Sequence, residues 1–307
     1  MFPSNGTLRI GTRGSALALR QTERVVESLH RFYPDLACEV TVISTGGDRD
    51  KSTSLQVIGG QGIFAKELQA ALLDEEIDIA VHSVKDLTST LPDGLFLCTV
   101  FERADPRDVV ISNAGSLDTL PAESTVGTSS RRRLALVNRL RPDLNVTDLR
   151  GNVDTRIRKA TDGPLDAAIL AAAGVSRMGW ENQIRQFLDV EQFVPAPGQG
   201  ALGIEVCEQN NAVRELLEPL YEPETSLAIG AERHFLRSVG GGCTSPIGAY
   251  ASITGNHARF TGMLATEDLT EMRIESRDCS PADLRDVAAE MANGMLQDLG
   301  IEARSVR

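Results

Sequence analysis

Along the first hundred residues the apolar positions switch between two spacings. TLRIG (7–11) is a short strand-like run. Residues 16–32 carry Leu17, Val25, Leu29 and Phe32 at helical spacing, so these four are expected to face inward. EVTVIST (39–45) alternates with a period of two. Residues 64–73 return to helical spacing, with Phe64, Leu68 and Leu72 on one stripe. Residues 77–84 form a continuous apolar run, the mark of a buried strand. This β–α–β rhythm predicts a mostly parallel α/β domain.

ERADPRD (102–108) is polar and holds a turn-forming proline, so it reads as a crossing strand or hinge. A second α/β unit follows. STVG leads into the helix SSRRRLALVNRL, LNVTDL into the helix VDTRIRKAT, and DAAILAAAGV is a strand followed by a turn. VPAPGQGALGIEV (194–206) is a candidate return crossing that completes the first domain. After EPLYEPE the pattern changes. Residues 225–238 are helical with Leu227, Ala231 and Phe235 inward, 246–278 read as three antiparallel strands with a turn at TGN (254–256), and 281–299 as a closing helix. The expected fold is α/β, with two similar lobes and a small α+β C-terminal domain: residues 1–101 with 197–219, 104–195, and 223–307. Two lobes joined by two crossings form a cleft, which takes ligands at helix N-termini and strand carboxyl ends.

Composition narrows the class. The chain has 307 residues, 41% hydrophobic and 24% charged, as in an ordinary soluble protein. MFPSNGTLRI lacks the features of a signal peptide. The longest apolar run, 167–175, has nine residues, against the roughly 20 needed to span a bilayer. The expectation is a cytoplasmic protein without a membrane partner. A net charge of −12 argues against nucleic acid. Of 31 basic residues only four are lysine, which leaves 31 − 4 = 27 arginines. The five cysteines are scattered, with no metal-ligand spacing. Cys38, Cys98 and Cys207 sit in strand-like runs as structural thiols, while Cys243 sits among glycines.

Candidate chemistry collects at the strand-to-helix junctions. GTRGSALAL (11–19) places Thr12, Arg13 and Ser15 there. VGTSSRRRLAL (126–136) places Thr128, Ser129 and Ser130 ahead of Arg131, Arg132 and Arg133. Hydroxyls and free N–H groups at a helix start favour anions, and an arginine holds a carboxylate through two hydrogen bonds. Cations there oppose the helix dipole by about 0.3–1 kcal/mol each, so three in a row point to an external anion. Plain capping with solvated arginines is the alternative. DLRGNVDTRIRK (148–159) adds Arg150, Asn152 and Arg156. AVHSVKDL (80–87) ends a buried strand with His82, Ser83, Lys85 and Asp86. This is either a turn pair or a carboxylate kept ionised by its cation, able to stabilise positive charge or relay a proton. SVGGGCTSPIG (238–248) is either a turn with a spare thiol or a flexible loop that presents a thiolate and bends around something attached to it.

Taken in order, RIGTRGSALAL, GIFAKEL, IDIAVHSVKDL, DPRD, VGTSSRRR, LRGNVDTR, APGQGALGIE and GGGC resemble the porphobilinogen deaminase (hydroxymethylbilane synthase) family over nearly the whole chain. The resemblance implies two lobes like those of periplasmic binding proteins and a third domain. It implies a dipyrromethane cofactor in thioether linkage to Cys243, and four rounds in which porphobilinogen loses ammonia and joins the primer. Hydrolysis then releases the linear tetrapyrrole, placing the chain in porphyrin and heme biosynthesis. By the same match Asp86 is catalytic. Ser83, Lys85, Asp86, Ser130, Arg132 and Arg133 hold the cofactor. Arg13, Ser15, Thr128, Ser129, Arg150, Arg156 and Arg177 hold substrate carboxylates, with Asn152 and Gln199 in matching motifs. The family is usually monomeric. Two departures are Gln61, where many members have lysine, and Arg131, where an apolar residue is common. A non-catalytic two-lobed ligand-binding protein is the competing reading. A nucleotide enzyme is disfavoured, because no GxxxxGK[ST] loop is present.

Overall fold

The computed structural model describes residues 6–46, 65–242 and 245–302. The chain divides into two units, one of residues Met1–Arg103 and Ala201–Ser226, the other of Ala104–Gly200 and Leu227–Arg307.

The first unit is built on a five-stranded sheet of order β2-β1-β3-β10-β4. Its strands are β1 (Thr7–Thr12), β2 (Ala37–Val42), β3 (Ile79–Ser83), β4 (Leu95–Val100) and β10 (Leu202–Cys207). β1 pairs in parallel with β2 and β3, whereas β10 runs antiparallel between β3 and β4. Helix α1 (Ala16–Phe32) buries Val25 and Leu29 against Leu8, Ile10, Ile79 and Ile204. Helix α2 (Lys66–Leu73) buries Leu68 and Leu72 against Ile77, Ala80 and Leu95. The helical spacing of 16–32 therefore holds, with one correction. Phe32 is 54% exposed. Tyr33, whose N–H closes the helix on the Leu29 carbonyl at 2.8 Å, packs on the core in its place. Phe64 lies outside the described residues.

The second unit repeats this topology. Its sheet has the order β7-β6-β8-β5-β9, with β5 (Asp108–Ile111), β6 (Thr125–Gly127), β7 (Asn145–Thr147), β8 (Ala167–Ala171) and β9 (Ile184–Phe187). In both sheets the fourth strand is the antiparallel one, and it enters just after a crossing of the chain: β10 after Gly200, β5 after Arg103. The expected pair of similar α/β lobes is present. Helices α3 (Arg131–Leu140) and α4 (Val153–Thr161) follow β6 and β7. The turn expected after 167–171 is instead a short helix, α5 (Ala172–Arg177), since alanine favours helix over turn.

Helix α6 (Asn211–Leu217) belongs to the first unit, and α7 (Pro223–Ser238) leads out of it. A meander of β11 (Ile247–Thr254), β12 (His257–Ala265) and β13 (Met272–Cys279) follows, closed by α8 (Leu284–Asp298). Phe235 of α7 and Phe260 of β12 centre this core, ring centroids 5.5 Å apart. Met263 of β12 instead joins the core of the second sheet with Val126, Leu136 and Val194. Leu227 was expected inward but is 41% exposed. The buried stripe runs through Ala228, Ala231, Glu232, Phe235 and Leu236, and leaves Leu227 beside it.

The packing predicts a contrast measurable by urea unfolding. Phe235→Ala should lower stability by about 3–5 kcal/mol, because both its transfer energy and its packing are lost. Leu227→Ala, off the stripe, should cost under about 1 kcal/mol.

Candidate active site

In the first unit the site grows from the ends of β1 and β3. Ser15 caps α1, its Oγ accepting from the Ala18 N–H at 3.2 Å. The hydroxyl proton remains available to an acceptor. β3 is buried from Ile79 through His82, and a single 3-10 turn, Val84–Asp86, follows it. Val84 and Leu87 are buried and closed by Leu87 N–H to Val84 O at 3.1 Å. That anchor lifts Lys85 and Asp86 towards solvent. Asp86 Oδ2 lies 3.9 Å from Arg13 Nη1. Ser83 Oγ accepts from Nε2 of the buried Gln21 at 2.9 Å. Arg13, Ser15, Gln21, His82, Ser83 and Asp86 line one recess. Sequence reasoning brought four of these together. It missed Gln21, which gives no signal beyond a polar position in an amphipathic helix.

The second unit repeats the junction. β6 ends at Gly127, Thr128 follows it, and Ser130 caps α3 by accepting from the Arg133 N–H at 3.4 Å. Thr128 Oγ1 accepts from the Ser130 N–H at 3.2 Å. Ser129 donates its hydroxyl to the Leu149 carbonyl at 2.6 Å and accepts from the Leu149 N–H at 3.1 Å, so it ties this junction to the next. There Asn152 caps α4 without a side-chain bond, and Arg156 Nε donates to Gly151 O at 2.7 Å. Arg150 Nε lies 3.6 Å from Asp148. Arg177, at the end of α5, donates to Gly200 O at 2.6 Å.

Arg132 and Arg133 are buried, and the cause is Asp108, a residue the sequence reading did not single out. Arg132 Nη1 lies 2.8 Å from Asp108 Oδ2. Arg133 donates to Oδ1 through Nη2 at 2.6 Å and Nε at 3.1 Å, and buried Gln199 adds Nε2 at 3.0 Å. The Val194 and Ile169 carbonyls accept from Arg132 and Arg133 at 2.6 and 2.8 Å. Complete burial pushes the Asp108 carboxyl up, but the two guanidiniums overcome it and hold the group well below the usual carboxylate range. Burial lowers Arg132, with Arg133 adding to that and Asp108 opposing it. Two guanidiniums thus share one carboxylate at a helix start. The only sequence signal was the final residue of DPRD, opening the apolar run DVVI. Arg131 turns elsewhere, to the main-chain carbonyl of Glu267 and its carboxylate at 3.3 Å.

The glycines before Cys243 have a definite geometry. Gly240 has φ +67° and donates to Arg237 O at 2.9 Å, while Gly241 donates to Leu236 O at 3.1 Å. This is the glycine stop of a helix, here α7. A Cβ at Gly241 would fall 2.1 Å from Ile247 Cδ1. Gly242 and Ser245 close on each other, Gly242 N–H to Ser245 Oγ at 3.2 Å and Ser245 N–H to Gly242 O at 3.0 Å. At Gly240 and Gly241 glycine thus serves turn geometry, where flexibility was expected. Cys243 itself and Gln61 lie outside the described residues. Burial pushes each of the other four thiols up, Cys98 to about 11. Those four are thereby held as thiols rather than thiolate nucleophiles. Among the described residues no group of three His, Cys, Asp or Glu is placed to hold a metal, and no helix is long and apolar enough to cross a membrane.

Two family models match, "Porphobilinogen deaminase, dipyromethane cofactor binding domain" over residues 8–215 and "Porphobilinogen deaminase, C-terminal domain" over 226–297. The porphobilinogen deaminase of Syntrophobacter fumaroxidans is 44% identical over 94% of each chain. That of Syntrophomonas wolfei is 45% identical over 95% of this chain and 96% of its own. Among solved structures, a periplasmic binding protein of Salmonella typhimurium is 13% identical over 72% of this chain and 93% of its own, with TM-score 0.39. At that level the strand order described above, not the likeness, defines the fold. By the family models and the extent of identity, this chain belongs to the porphobilinogen deaminase family.

Proposed function

We propose that the chain adds four porphobilinogen molecules, one at a time and each with loss of ammonia, to a dipyrromethane primer on Cys243, then releases hydroxymethylbilane by hydrolysis. The observation that carries this reading is the recess at the end of β3. There Asp86 faces a guanidinium across 3.9 Å, in a chain of this family. The bound cofactor supplies a free pyrrole α-carbon as the growing end. The protein's part is electrostatic. Asp86 stabilises the positive charge that develops as ammonia leaves and takes part in moving the α-carbon's proton. Arg13, 3.9 Å from Asp86, faces an incoming carboxylate together with Ser15.

The donor set suits the cofactor's carboxylates. Asp108 balances one of the two charges on Arg132 and Arg133, which leaves a net positive charge buried at the start of α3. An external carboxylate is what such a place favours. Ser130 belongs to the same helix start, and Ser83 and Lys85 flank Asp86. Arg150, Arg156 and Arg177 are assigned to substrate and the growing chain, with Thr128, Ser129, Asn152 and Gln199 in support. Ser129 and Gln199 act by holding the site's shape, since both already serve protein acceptors. The chain works as a cytoplasmic monomer of three domains, the meander with α8 being the third.

Three measurements test this reading. Asp86→Asn should reduce turnover by roughly two decades or more while the primer stays attached. Near-normal turnover would make Asp86 a turn residue only.

Asp108→Asn should cost about 3–5 kcal/mol at neutral pH, because it leaves two buried guanidiniums without a counter-charge. It should also yield largely primer-free protein. The sign of the pH dependence follows from the lowered carboxyl. Asp108 contributes stability above its unfolded pKa of about 3.9 and loses it as pH falls below that value. The gap between wild type and variant should therefore be full near neutrality and narrow in acid. A gap that widens in acid would contradict the assignment.

The denatured wild-type chain should weigh more than its sequence by two pyrrole units, carried on the Cys243 peptide. Cys243→Ser should weigh what its sequence says and show no useful turnover. An unmodified mass in active protein would sink the covalent primer.

A further inference from the structure

Residues 194–200, the segment that leads into β10, are held from two sides within the second unit. On one side stand groups assigned to the cofactor and the substrate. Arg132 donates to Val194 O at 2.6 Å, Gln199 to Asp108 Oδ1 at 3.0 Å, and Arg177 to Gly200 O at 2.6 Å. On the other side stand the two elements that flank Cys243 in the chain. β11 follows the cysteine, and its Ala249 N–H donates to Pro195 O at 3.0 Å. The approach is close: a Cβ on Gly248 would lie 3.0 Å from Val194 O. α7 precedes the cysteine and supplies Glu232, which is completely buried. Its Oε2 accepts from the Gly198 N–H at 2.7 Å, and its Oε1 from the Ala251 N–H of β11 at 2.8 Å.

Among the described residues β11 is the edge strand of its sheet, so main-chain donors on its outer side have no neighbouring strand. Ala249 meets the Pro195 carbonyl instead. Two residues on, the 194–200 segment has turned away. Gln199 N–H closes on Ala196 O at 2.9 Å, and Gly198 takes the left-handed conformation at φ +77°. Glu232 fills that gap with one carboxylate oxygen for each segment, as a strand carbonyl would. Stability alone is a weak reason for a carboxylate here. Burying a charge is costly, and what a buried polar group fixes best is register. The register at stake is that of the cysteine segment. The helix entering it and the strand leaving it are both bonded to residues 194–200, which also accept from Arg132 and Arg177.

We propose that Glu232 is a positioning residue for the primer. It fixes both ends of the Cys243 segment against residues 194–200, and so sets the place of the thiol relative to Arg132 and Arg133, which are assigned to the cofactor's carboxylates. The proposal rests on the deaminase reading above. Glu232 has no part in the chemistry. It acts through Gly198 and Ala251, and its effect falls on how readily the primer is taken up.

The test uses the full-length chain, made primer-free in a host that produces no porphobilinogen and then incubated with porphobilinogen. Glu232→Gln keeps the length of the side chain and one accepting oxygen, but turns an amide N–H towards one of the two main-chain donors. Phe235→Leu, on the same helix and in the core of the C-terminal meander, is the control for lost stability alone. Primer uptake is followed by intact mass, beside the unfolding midpoint. Glu232→Gln should take up the primer roughly tenfold or more slowly than Phe235→Leu at a comparable midpoint, the scale expected when an anchor is misplaced by a fraction of an ångström. Equal uptake by the two variants at matched midpoints would assign Glu232 to folding and overturn the proposal. Should Glu232→Gln fail to fold, wild type decides. The Gly198 and Ala251 amides should be protected from hydrogen exchange in the primer-free chain, because the place of the thiol is set before the primer arrives. Rapid exchange at either would overturn the proposal. A wild-type chain that gains no mass from porphobilinogen would instead sink the deaminase reading itself, so the two failures are distinguishable.

Discussion

Two guanidiniums and one carboxylate buried at the start of α3 impose the main constraint on the second unit. Removing each charge from water costs several kcal/mol even after relaxation. The cost is offset by the opposite charges and by the hydrogen bonds that meet Asp108 Oδ1 and both guanidiniums. Asp108 receives Arg132, Arg133 and Gln199, while the guanidiniums reach the Val194 and Ile169 carbonyls. These partners come from β5, β8, α3 and the segment before β10. The cluster therefore ties the strand just after one chain crossing to the loop just before the next. Mutual repulsion between the arginines remains, and on the proposed function the cofactor's carboxylates would relieve it.

The two sheets show one solution used twice. A Gly-Thr pair stands at the end of the second strand of each sheet, the chain turns, and a serine caps the following helix: Gly11, Thr12 and Ser15 in the first unit, Gly127, Thr128 and Ser130 in the second. Each cap satisfies a backbone donor and keeps a hydroxyl proton free to be donated. The junctions differ in what they place beside the cap. Arg13 stands partly open, facing Asp86, whereas Arg132 and Arg133 are drawn inward by Asp108. A partly open guanidinium suits ligands that come and go. A buried one suits a group that stays.

Much of this was legible locally. The bounds of α1 and α4 and the antiparallel meander follow from spacing and capping residues within a dozen positions, whereas the alternation of EVTVIST gave no buried face: Val40 and Val42 of β2 are both exposed. The failures have physical reasons. Phe32 and Leu227 sit at the margin of helical stripes, where a shift of one position decides between core and solvent. The alanines after β8 were read as a turn because the strand before them is also alanine-rich. Asp108 was hidden because its partners lie 25 and 91 residues away, and a carboxylate beside Pro106 and Arg107 looks like ordinary turn polarity.

The glycines before Cys243 show how a local motif can be read correctly in place and wrongly in cause. Flexibility was the natural inference from three in a row. Gly240 instead takes the left-handed conformation that ends α7, and Gly241 stands where a side chain would collide with Ile247. α7 is itself fixed, because the fully buried Glu232 accepts N–H bonds from Gly198 at 2.7 Å and Ala251 at 2.8 Å. Gly198 precedes Gln199, which bonds Asp108, and Gly200, which accepts from Arg177. The helix that delivers the chain to residue 242 is thus hydrogen-bonded to the same loop that orders the buried arginines. On the function proposed above, an anchor at Cys243 for a growing polyanion needs its root held still relative to the cations assigned to the carboxylates. A helix stop joined through Glu232 to the arginine cluster meets that need better than a freely moving loop.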